Sequence, residues 1–298
     1  MDKKPTPEEL RKRYEEAVEQ SITAFPHQRI EVKGTEALAT WEGLRLSNLG
    51  SSPVVVGGLE EFKRIVQGAT ACPGAPANRT PAQIIETADR LHHPEDLYRQ
   101  HERDAAEMRE RIEQLKRERP ELTAPPKVQL PDFLKEAFGG KFSVASFEET
   151  IELTPPSSEP RIGEWPTEPM GAPELSVATE TLTGAPLEKV QIVLLPTNDS
   201  STIPAYLHWG HWNGCPAPEY HIAALRSWRE RFGAEIVGLS HDVMNIRVQS
   251  RPPTREVALE LAREQYVYCS DIVDQGVQTL SALAAALMES NWWYFWWD

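Results

Sequence analysis

The last eight residues, Asn-Trp-Trp-Tyr-Phe-Trp-Trp-Asp at 291–298, constrain the fold more than any other feature of the sequence. Six aromatic residues in succession favour an extended strand, because such side chains fit the pleated, half-buried surface of a sheet. Alternation along a strand would bury one set of rings and expose the other, giving a face suited to a partner. The alternative is a strand that is covered on both faces. The sequence favours these two arrangements equally.

The tryptophan-rich region begins near Lys189, the last lysine of the chain, and seven of the nine tryptophans follow it. Five of its segments have the patterns of strands and three have helical spacing. The predicted strands are Val190–Leu195, Pro204–Trp209, Glu235–Leu239, Val243–Gln249 and the closing run, and the predicted helices are Glu219–Phe232, Thr254–Tyr268 and one from Thr279. Residues 189–298 are therefore expected to form an α+β domain with a mostly antiparallel sheet and three packed helices.

The residues before this domain divide into three segments. Residues 1–25 are predicted to form a helix, because Thr6, Pro7 and Glu9 match the start of a capped helix. Residues 26–119 are predicted to hold a small α/β unit followed by a highly charged helix. Residues 120–188 contain eleven of the 25 prolines and are predicted to form an extended linker or wrapping segment.

The net charge argues against two classes of partner. The formal net charge of −14 disfavours nucleic acids and anionic lipids, since both are bound through a surplus of lysine and arginine. No run approaches the roughly 20 apolar residues that span a bilayer, and the N-terminus lacks the apolar core of a signal peptide. Cytoplasmic residence is expected. The three cysteines have no CxxC spacing, and the sequence predicts neither a metal nor a cofactor.

Nucleophilic and metal-capable side chains occur together in residues 208–216, His-Trp-Gly-His-Trp-Asn-Gly-Cys-Pro. Their spacing does not match the common zinc sites, so histidines bonded to backbone beside core tryptophans are the favoured interpretation. Cys215 precedes a predicted helix, whose N-terminus favours a thiolate. With His208, His211 or His221 as base it would be a candidate nucleophile. A buried, inert cysteine is the favoured alternative.

A second polar stretch covers residues 265–276. Asp271 and Asp274 have the chemistry of an acid–base pair or of a cation site. Capping and turn hydrogen bonds between two helices explain them as well, and that interpretation is favoured. The hairpin residues His241 and Asp242 are likewise predicted to serve a turn.

Several sequence blocks in the C-terminal domain resemble a known family. The blocks are Trp212-Asn213-x-Cys215-Pro216, Trp228 with Gly233-Ala234-Glu235, Pro252-Pro253-Thr254, the stretch from Glu264-Gln265-Tyr266 to Asp271-Ile272-Val273-x-Gln275-Gly276, and Trp293 to Asp298. In this order they resemble the bacterial domain-of-unknown-function 4253 family. Residues around Trp41 and at 53–57 are similar, less distinctively, to the N-terminal part of some members. The resemblance implies a bacterial origin and a C-terminal domain boundary, but no activity and no catalytic residue.

Two functions follow as hypotheses. The favoured one is a non-catalytic protein-binding module, such as an immunity-type inhibitor of a toxin, because no motif identifies a reaction and acidic inhibitors associate rapidly with basic partners. Its predicted binding residues are Trp209, Trp212, Asn213, Tyr268, Gln275, Trp296 and Trp297. The alternative is a hydrolase or small-molecule-processing enzyme with a site between residues 208–215 and 266–275. Its catalytic candidates are His211, Cys215, His221, Asp271 and Asp274.

Overall fold

The computed structural model describes residues 6–47, 50–71, 79–119, 160–168 and 171–298. The chain divides into two compact units, Met1–Leu97 with Arg161–Asp298 and, separately, Tyr98–Pro160. Most of the predicted proline-rich segment lies outside the described residues, and so does Cys72. Within the described ranges, no helix is both long and apolar enough to cross a membrane.

Five helices and two strands come from the first 119 residues of the chain, within the part that the structure describes. They are α1 (Pro7–Thr23), β1 (Gln28–Val32), α2 (Gly34–Leu46), β2 (Ser52–Val55), α3 (Leu59–Ala71), α4 (Pro81–Ala88) and α5 (Glu95–Glu118). The predicted N-terminal and charged helices are confirmed. Helix α4 was not predicted from the pattern, although a capping box between Thr80 and Gln83 marks its start.

The C-terminal region supplies four strands and four helices. They are β3 (Val190–Leu195), α6 (Ile203–Leu207), α7 (Pro218–Phe232), β4 (Glu235–Leu239), β5 (Val243–Arg247), α8 (Arg255–Tyr268), α9 (Leu280–Glu289) and β6 (Trp292–Trp296). The three predicted long helices are confirmed, and so is the β4–β5 hairpin. Thr254 and Thr279 cap α8 and α9 with their side chains, and Gly233 ends α7 in the left-handed conformation.

All six strands form one mostly antiparallel sheet in the order β1-β3-β2-β4-β5-β6. Strand β3 lies between β1 and β2 and is antiparallel to both, so that Ile192 pairs with Ile30 on one side and Val55 on the other. Strands β2 and β4 pair in parallel. The α+β prediction is confirmed, and strands from both sides of the predicted boundary near Lys189 belong to the same sheet.

Helices or turns cover both faces of this sheet. On one face, Val193 and Phe295 belong to a large core with side chains from α7, α8 and α9. On the other face, Ile192 packs with Trp41 of α2 and with Val177 of a 3-10 turn, Ser176–Ala178. The sheet is therefore the middle layer of three, and its central strands β3, β2 and β4 are buried on both faces, whereas the edge strand β1 is largely polar and exposed.

The prediction of a strand at residues 204–209 is wrong. A 3-10 turn, Ser200–Thr202, leads directly into α6, which contains most of the residues that were predicted to form the strand. Asp199 caps the turn, accepting hydrogen bonds from the backbone nitrogen of Ser201 at 3.1 Å and from its hydroxyl at 2.6 Å. Pro204 lies in the first turn of α6, where proline is tolerated, whereas it cannot donate to a strand ladder. Local capping and proline thus override the apolar pattern.

The closing aromatic strand is covered on both sides. Trp293, Phe295 and Trp297 pack into the larger core, and Trp292 packs into the smaller one. The two remaining rings, Tyr294 and Trp296, are partly exposed. The structure therefore matches the covered alternative more closely than a strand with one exposed aromatic face, and β6 lies at an edge of the sheet.

A buried carboxylate fixes α7 against α8. Glu264 of α8 accepts hydrogen bonds from Trp228 Nε1 at 2.5 Å and from Arg231 Nη1 at 2.7 Å, both on α7, and lies 2.8 Å from His93 Nε2. Burial raises the pKa of Glu264, but the hydrogen bonds from His93 and Arg231 outweigh burial and hold that pKa below its ordinary value. The ionised carboxylate is thus satisfied in a site where an unpaired one would be costly.

Two glycines of α2 provide a matched test of the packing. A Cβ at Gly34 would lie 2.6 Å from the carbonyl oxygen of Ala178 and 2.7 Å from the backbone nitrogen of Leu187, whereas one at Gly43 meets nothing within 4 Å. We expect Gly34→Ala to lower the free energy of unfolding by about 1–3 kcal/mol, because backbone atoms must shift. Gly43→Ala should leave it unchanged or raise it by up to about 1 kcal/mol. Urea unfolding measures both, and equal effects would contradict this packing.

Candidate functional site

The loop at residues 208–216 joins α6 to α7 and follows a strained path. His208, His211 and Asn213 have positive φ angles of 48°, 75° and 40°. Positive φ is uncommon outside glycine, and strained backbone of this kind concentrates at functional sites. The path brings Cys215 to the start of α7, two residues before the N-cap residue Ala217.

A glycine allows this loop to lie directly against α7. Gly210 has a φ of 116°, and a Cβ there would lie 2.3 Å from the carbonyl oxygen of Pro216 and 2.8 Å from Nε2 of His221. The next residue, His211, donates its backbone N–H to the same Pro216 carbonyl at 2.9 Å. A side chain at Gly210 would therefore push the loop away from His221.

Three side chains meet in what we call the thiol–imidazole cluster: Cys215, His221 and Tyr268. The sulfur of Cys215 lies 3.5 Å from His221 Nε2, and the hydroxyl of Tyr268 lies 2.6 Å from His221 Nδ1. Helix α7 supplies the histidine, α8 supplies the tyrosine at its last residue, and the loop supplies the cysteine. Both segments of the predicted enzyme site therefore contribute a side chain that contacts His221.

Burial dominates the electrostatics of this cluster. His221 is fully buried, and burial lowers the pKa of its imidazole from 6.5 to about 3, although a hydrogen bond to the Pro216 carbonyl acts in the opposite direction. Burial also raises the pKa of the Tyr268 phenol well above its usual range. At neutral pH the imidazole and the phenol are therefore both uncharged.

Aromatic rings surround the imidazole. The ring centroid of Trp209 lies 4.8 Å from that of His221, and the ring of Trp297 lies 5.7 Å away in an edge-to-face arrangement. The indole of Trp209 is fixed by a 2.7 Å hydrogen bond to the Ser240 carbonyl. The indole nitrogen of Trp297 is buried and has no hydrogen-bond partner among the described residues. The imidazole thus lies in an apolar enclosure.

The arrangement permits two neutral forms of His221. With the proton on Nδ1, the imidazole donates to Tyr268, whose hydroxyl can donate to the Met244 sulfur 3.7 Å away, and Nε2 can accept the proton of the Cys215 thiol. With the proton on Nε2, the ring donates to Pro216 and accepts from Tyr268. Only the first form makes His221 a base for the thiol, with Tyr268 as the orienting group.

The other predicted catalytic residues lie outside these contacts. His211 is exposed, and its backbone N–H donates to the carbonyls of Cys215 and Pro216. Asp271 makes no side-chain cap and instead accepts a hydrogen bond from the backbone nitrogen of Asp298 at 3.1 Å. Asp274 is exposed and accepts one from the Tyr266 hydroxyl at 3.2 Å. The predicted capping role of Asp271 is therefore wrong, and its carboxylate instead bonds to the backbone 27 positions later, whereas Asp274 bonds to a side chain of α8.

The predicted binding residues divide by exposure. The two indoles Trp209 and Trp297 are each 3% exposed and Tyr268 is completely buried, so the three rings have too little free area to contact a protein partner. The rings of Trp212 and Trp296 are partly exposed, and the polar residues Asn213 and Gln275 are exposed. Apolar packing in the sheet core accounts for the burial of Trp209, Trp297 and Tyr268.

A second cluster was not recognised as a site from the sequence, where two of its residues were assigned to a turn. His241 Nδ1 lies 2.5 Å from Glu61 Oε2 and 3.2 Å from Asp242 Oδ1. The hydrogen bond from His241 lowers the pKa of Glu61, and the same bond raises the pKa of His241. Glu61 belongs to α3 and His241 to the β4–β5 turn, 180 positions later, so that only the parallel pairing of β2 with β4 brings them together.

The C-terminal region is similar to one known family. Residues 191–298 match the family described as Domain of unknown function (DUF4253). The resemblance stated from the sequence blocks is thereby confirmed. The DUF4253 region includes the whole thiol–imidazole cluster, but Glu61 lies before it. No curated protein and no solved structure matches the chain.

Paired tyrosine variants test whether the cluster is a satisfied buried network. Tyr268→Phe removes the only group bonded to Nδ1 of His221 in the described structure, and we expect it to lower the free energy of unfolding by about 1–3 kcal/mol. Tyr266→Phe removes an exposed hydrogen bond and should change that energy by less than about 0.5 kcal/mol. Chemical unfolding followed by tryptophan fluorescence measures both. A Tyr268→Phe variant as stable as Tyr266→Phe would rule out a strong bond to the imidazole.

Proposed function

We propose that this chain is a thiol-dependent hydrolase in which Cys215 is the nucleophile and His221 is its base. The observation that carries the proposal is the chain of contacts from the Cys215 sulfur to His221 Nε2, at 3.5 Å, and from His221 Nδ1 to the Tyr268 hydroxyl, at 2.6 Å. A nucleophile, a base and a third group that orients the base are the elements of covalent catalysis.

The neutral imidazole can act as a proton carrier in this reaction. The Cys215 thiol gives its proton to His221 Nε2 while the sulfur bonds to the carbonyl carbon of an ester. The leaving alcohol then takes that proton as the carbon–oxygen bond breaks, which leaves a thioester on Cys215. Water attacks the thioester, and His221 transfers one proton of that water to the departing sulfur. Acid and acyl-free enzyme are the products, and no other reactant is needed.

The surroundings favour a neutral, apolar acyl group. Trp209 and Trp297 contact the imidazole, and at neutral pH the two indoles, the imidazole and the Tyr268 phenol carry no charge. Cys215 is 5% exposed, whereas three of the four loop residues before it, 211–214, are exposed. Substrate entry therefore requires displacement of this loop, for which its positive φ angles provide stored strain.

The first experiment compares two cysteine variants with p-nitrophenyl butyrate as the probe. Cys215→Ser should reduce the initial rate of hydrolysis by at least about 100-fold, because the hydroxyl is a far weaker nucleophile at neutral pH. Cys269→Ser is the matched control, since that thiol is also buried but donates to the Trp296 carbonyl at 3.0 Å. The control should keep the wild-type rate. Mass spectrometry of the quenched reaction should find the butyryl group on Cys215.

Circular dichroism of both variants establishes that each is folded. Hydrolysis that is equal in the wild type and a folded Cys215→Ser variant would contradict the proposal. Acylation of another residue with Cys215 unmodified would contradict it equally.

A protein-binding module is the second candidate, and two observations favour it. The chain has a formal net charge of −14, and the rings of Trp212 and Trp296 are partly exposed. An acidic, bacterial, cytoplasmic inhibitor of the immunity type would associate quickly with a basic toxin through complementary charge. Trp296 lies on the edge strand β6, so a partner could contact it without disturbing the core.

Capture from the native lysate tests this candidate with a pair of tryptophan variants. A stoichiometric basic partner should be retained by the wild type, released by moderate salt, and lost in Trp296→Ala or Trp212→Ala. Trp297 is left unchanged, because it is buried and its removal would create a cavity. A partner retained equally by both variants would exclude these rings as the contact surface.

A further inference from the structure

The parallel pair of strands ends at a group of charged side chains. Strand β2 leads through residues 56–58 into α3, which carries Glu61, and β4 leads through Ser240 into the turn residues His241 and Asp242. In open α/β sheets, ligands commonly bind beyond the carboxyl ends of the parallel strands. Each of the three side chains is about one-third exposed, at 30%, 36% and 28% respectively, so an ion can reach them from solvent.

We propose that Glu61, His241 and Asp242 bind a divalent transition-metal ion of the zinc class. One carboxylate oxygen from each acid and Nδ1 of the histidine all lie within 4.8 Å of one another. Ligand atoms around a tetrahedral zinc ion are about 3.2–3.5 Å apart when each bond is about 2.0–2.2 Å long. The 3.2 Å separation of His241 from Asp242 already fits, and the 2.5 Å separation of His241 from Glu61 needs to widen by roughly 1 Å.

Groups behind the ligands hold them in place. The Ser240 hydroxyl donates to Asp242 Oδ1 at 2.8 Å and accepts from the backbone nitrogen of Val243 at 3.0 Å. The carbonyl of Ser240 accepts the indole hydrogen bond of Trp209. Hydrogen bonds of this kind orient metal ligands and are a regular part of metal sites. The aspartate is therefore fixed before an ion arrives.

The donor set selects the class of ion. An imidazole nitrogen with two carboxylate oxygens suits zinc and related transition metals, whereas magnesium and calcium prefer oxygen ligands alone. Three protein ligands leave a fourth position for water or a substrate oxygen. Arg64 lies 3.2 Å from His241 Nε2, but its side chain is 57% exposed, so it can turn into solvent when the imidazole binds an ion. The proposal is independent of the thiol chemistry at Cys215.

The experiment is a calorimetric titration of the full chain with zinc chloride in a chelator-free buffer. We expect one ion per chain with a dissociation constant in the micromolar range or below. His241→Ala and Glu61→Gln should each weaken binding at least tenfold. His211→Ala is the matched control, because His211 is exposed and belongs to the loop at residues 208–216, whose histidines are alternative ligands for zinc. His92→Ala, with a side chain 86% exposed, controls for surface histidines in general.

Two results would overturn the assignment. One is the absence of binding up to millimolar zinc in the folded wild type. The other is binding that survives His241→Ala but is lost in His211→Ala, which would place the ion in the loop at residues 208–216. Titration with cobalt, whose visible absorption reports tetrahedral coordination, repeats the comparison with an independent readout.

Discussion

The pairing of β3 with both β1 and β2 is the interaction on which the rest of the fold depends. It places a strand of the DUF4253 region between two strands from the first sixty residues of the chain. The resulting position of β2 next to β4 creates the parallel pair, and this pair brings Glu61 to His241. Without the N-terminal strands, β3 would have no neighbour in this sheet and one face of the domain would lose its covering helix α2.

The second constraint is the enclosure of a histidine between two helices and a strained loop. Glu264 fixes α7 against α8, Gly210 lets the loop approach, and His221 is left fully buried with Cys215 and Tyr268 at its two nitrogens. A buried histidine is stable only when its polar atoms are satisfied, which accounts for a structural role. A structural role does not require the contact between His221 and the Cys215 thiol. This contact is therefore the reason for proposing a catalytic role for the cluster.

Local features of the sequence predicted local structure well. The side-chain caps Thr254 and Thr279, the left-handed Gly233 and the aromatic closing strand all have the positions that their residue types favour. The failure at residues 204–209 arose because a capping aspartate and a proline outweighed an apolar pattern.

Contacts between distant parts of the chain could not be predicted. No periodicity reveals that β2 pairs with β4, or that Tyr268 meets a histidine 47 positions earlier. The sequence brought Cys215 and three histidines, His208, His211 and His221, into consideration, but only the fold selects His221 among the three. The aromatic rings of β6 are mostly buried, which argues against a broad exposed aromatic face for binding a partner. This burial also depends on helices from other parts of the chain.

Measuring the protonation state of the His221 ring tests most directly whether this residue is the base for Cys215. Nitrogen chemical shifts of the imidazole, followed by NMR from pH 5 to 8, report both its charge and which nitrogen carries the hydrogen. We expect a neutral ring throughout, because burial lowers its pKa to about 3, with the hydrogen on Nδ1 and Nε2 free to accept the Cys215 proton. A ring that titrates near pH 6.5, or a hydrogen held on Nε2, would contradict the assignment of His221 as the base.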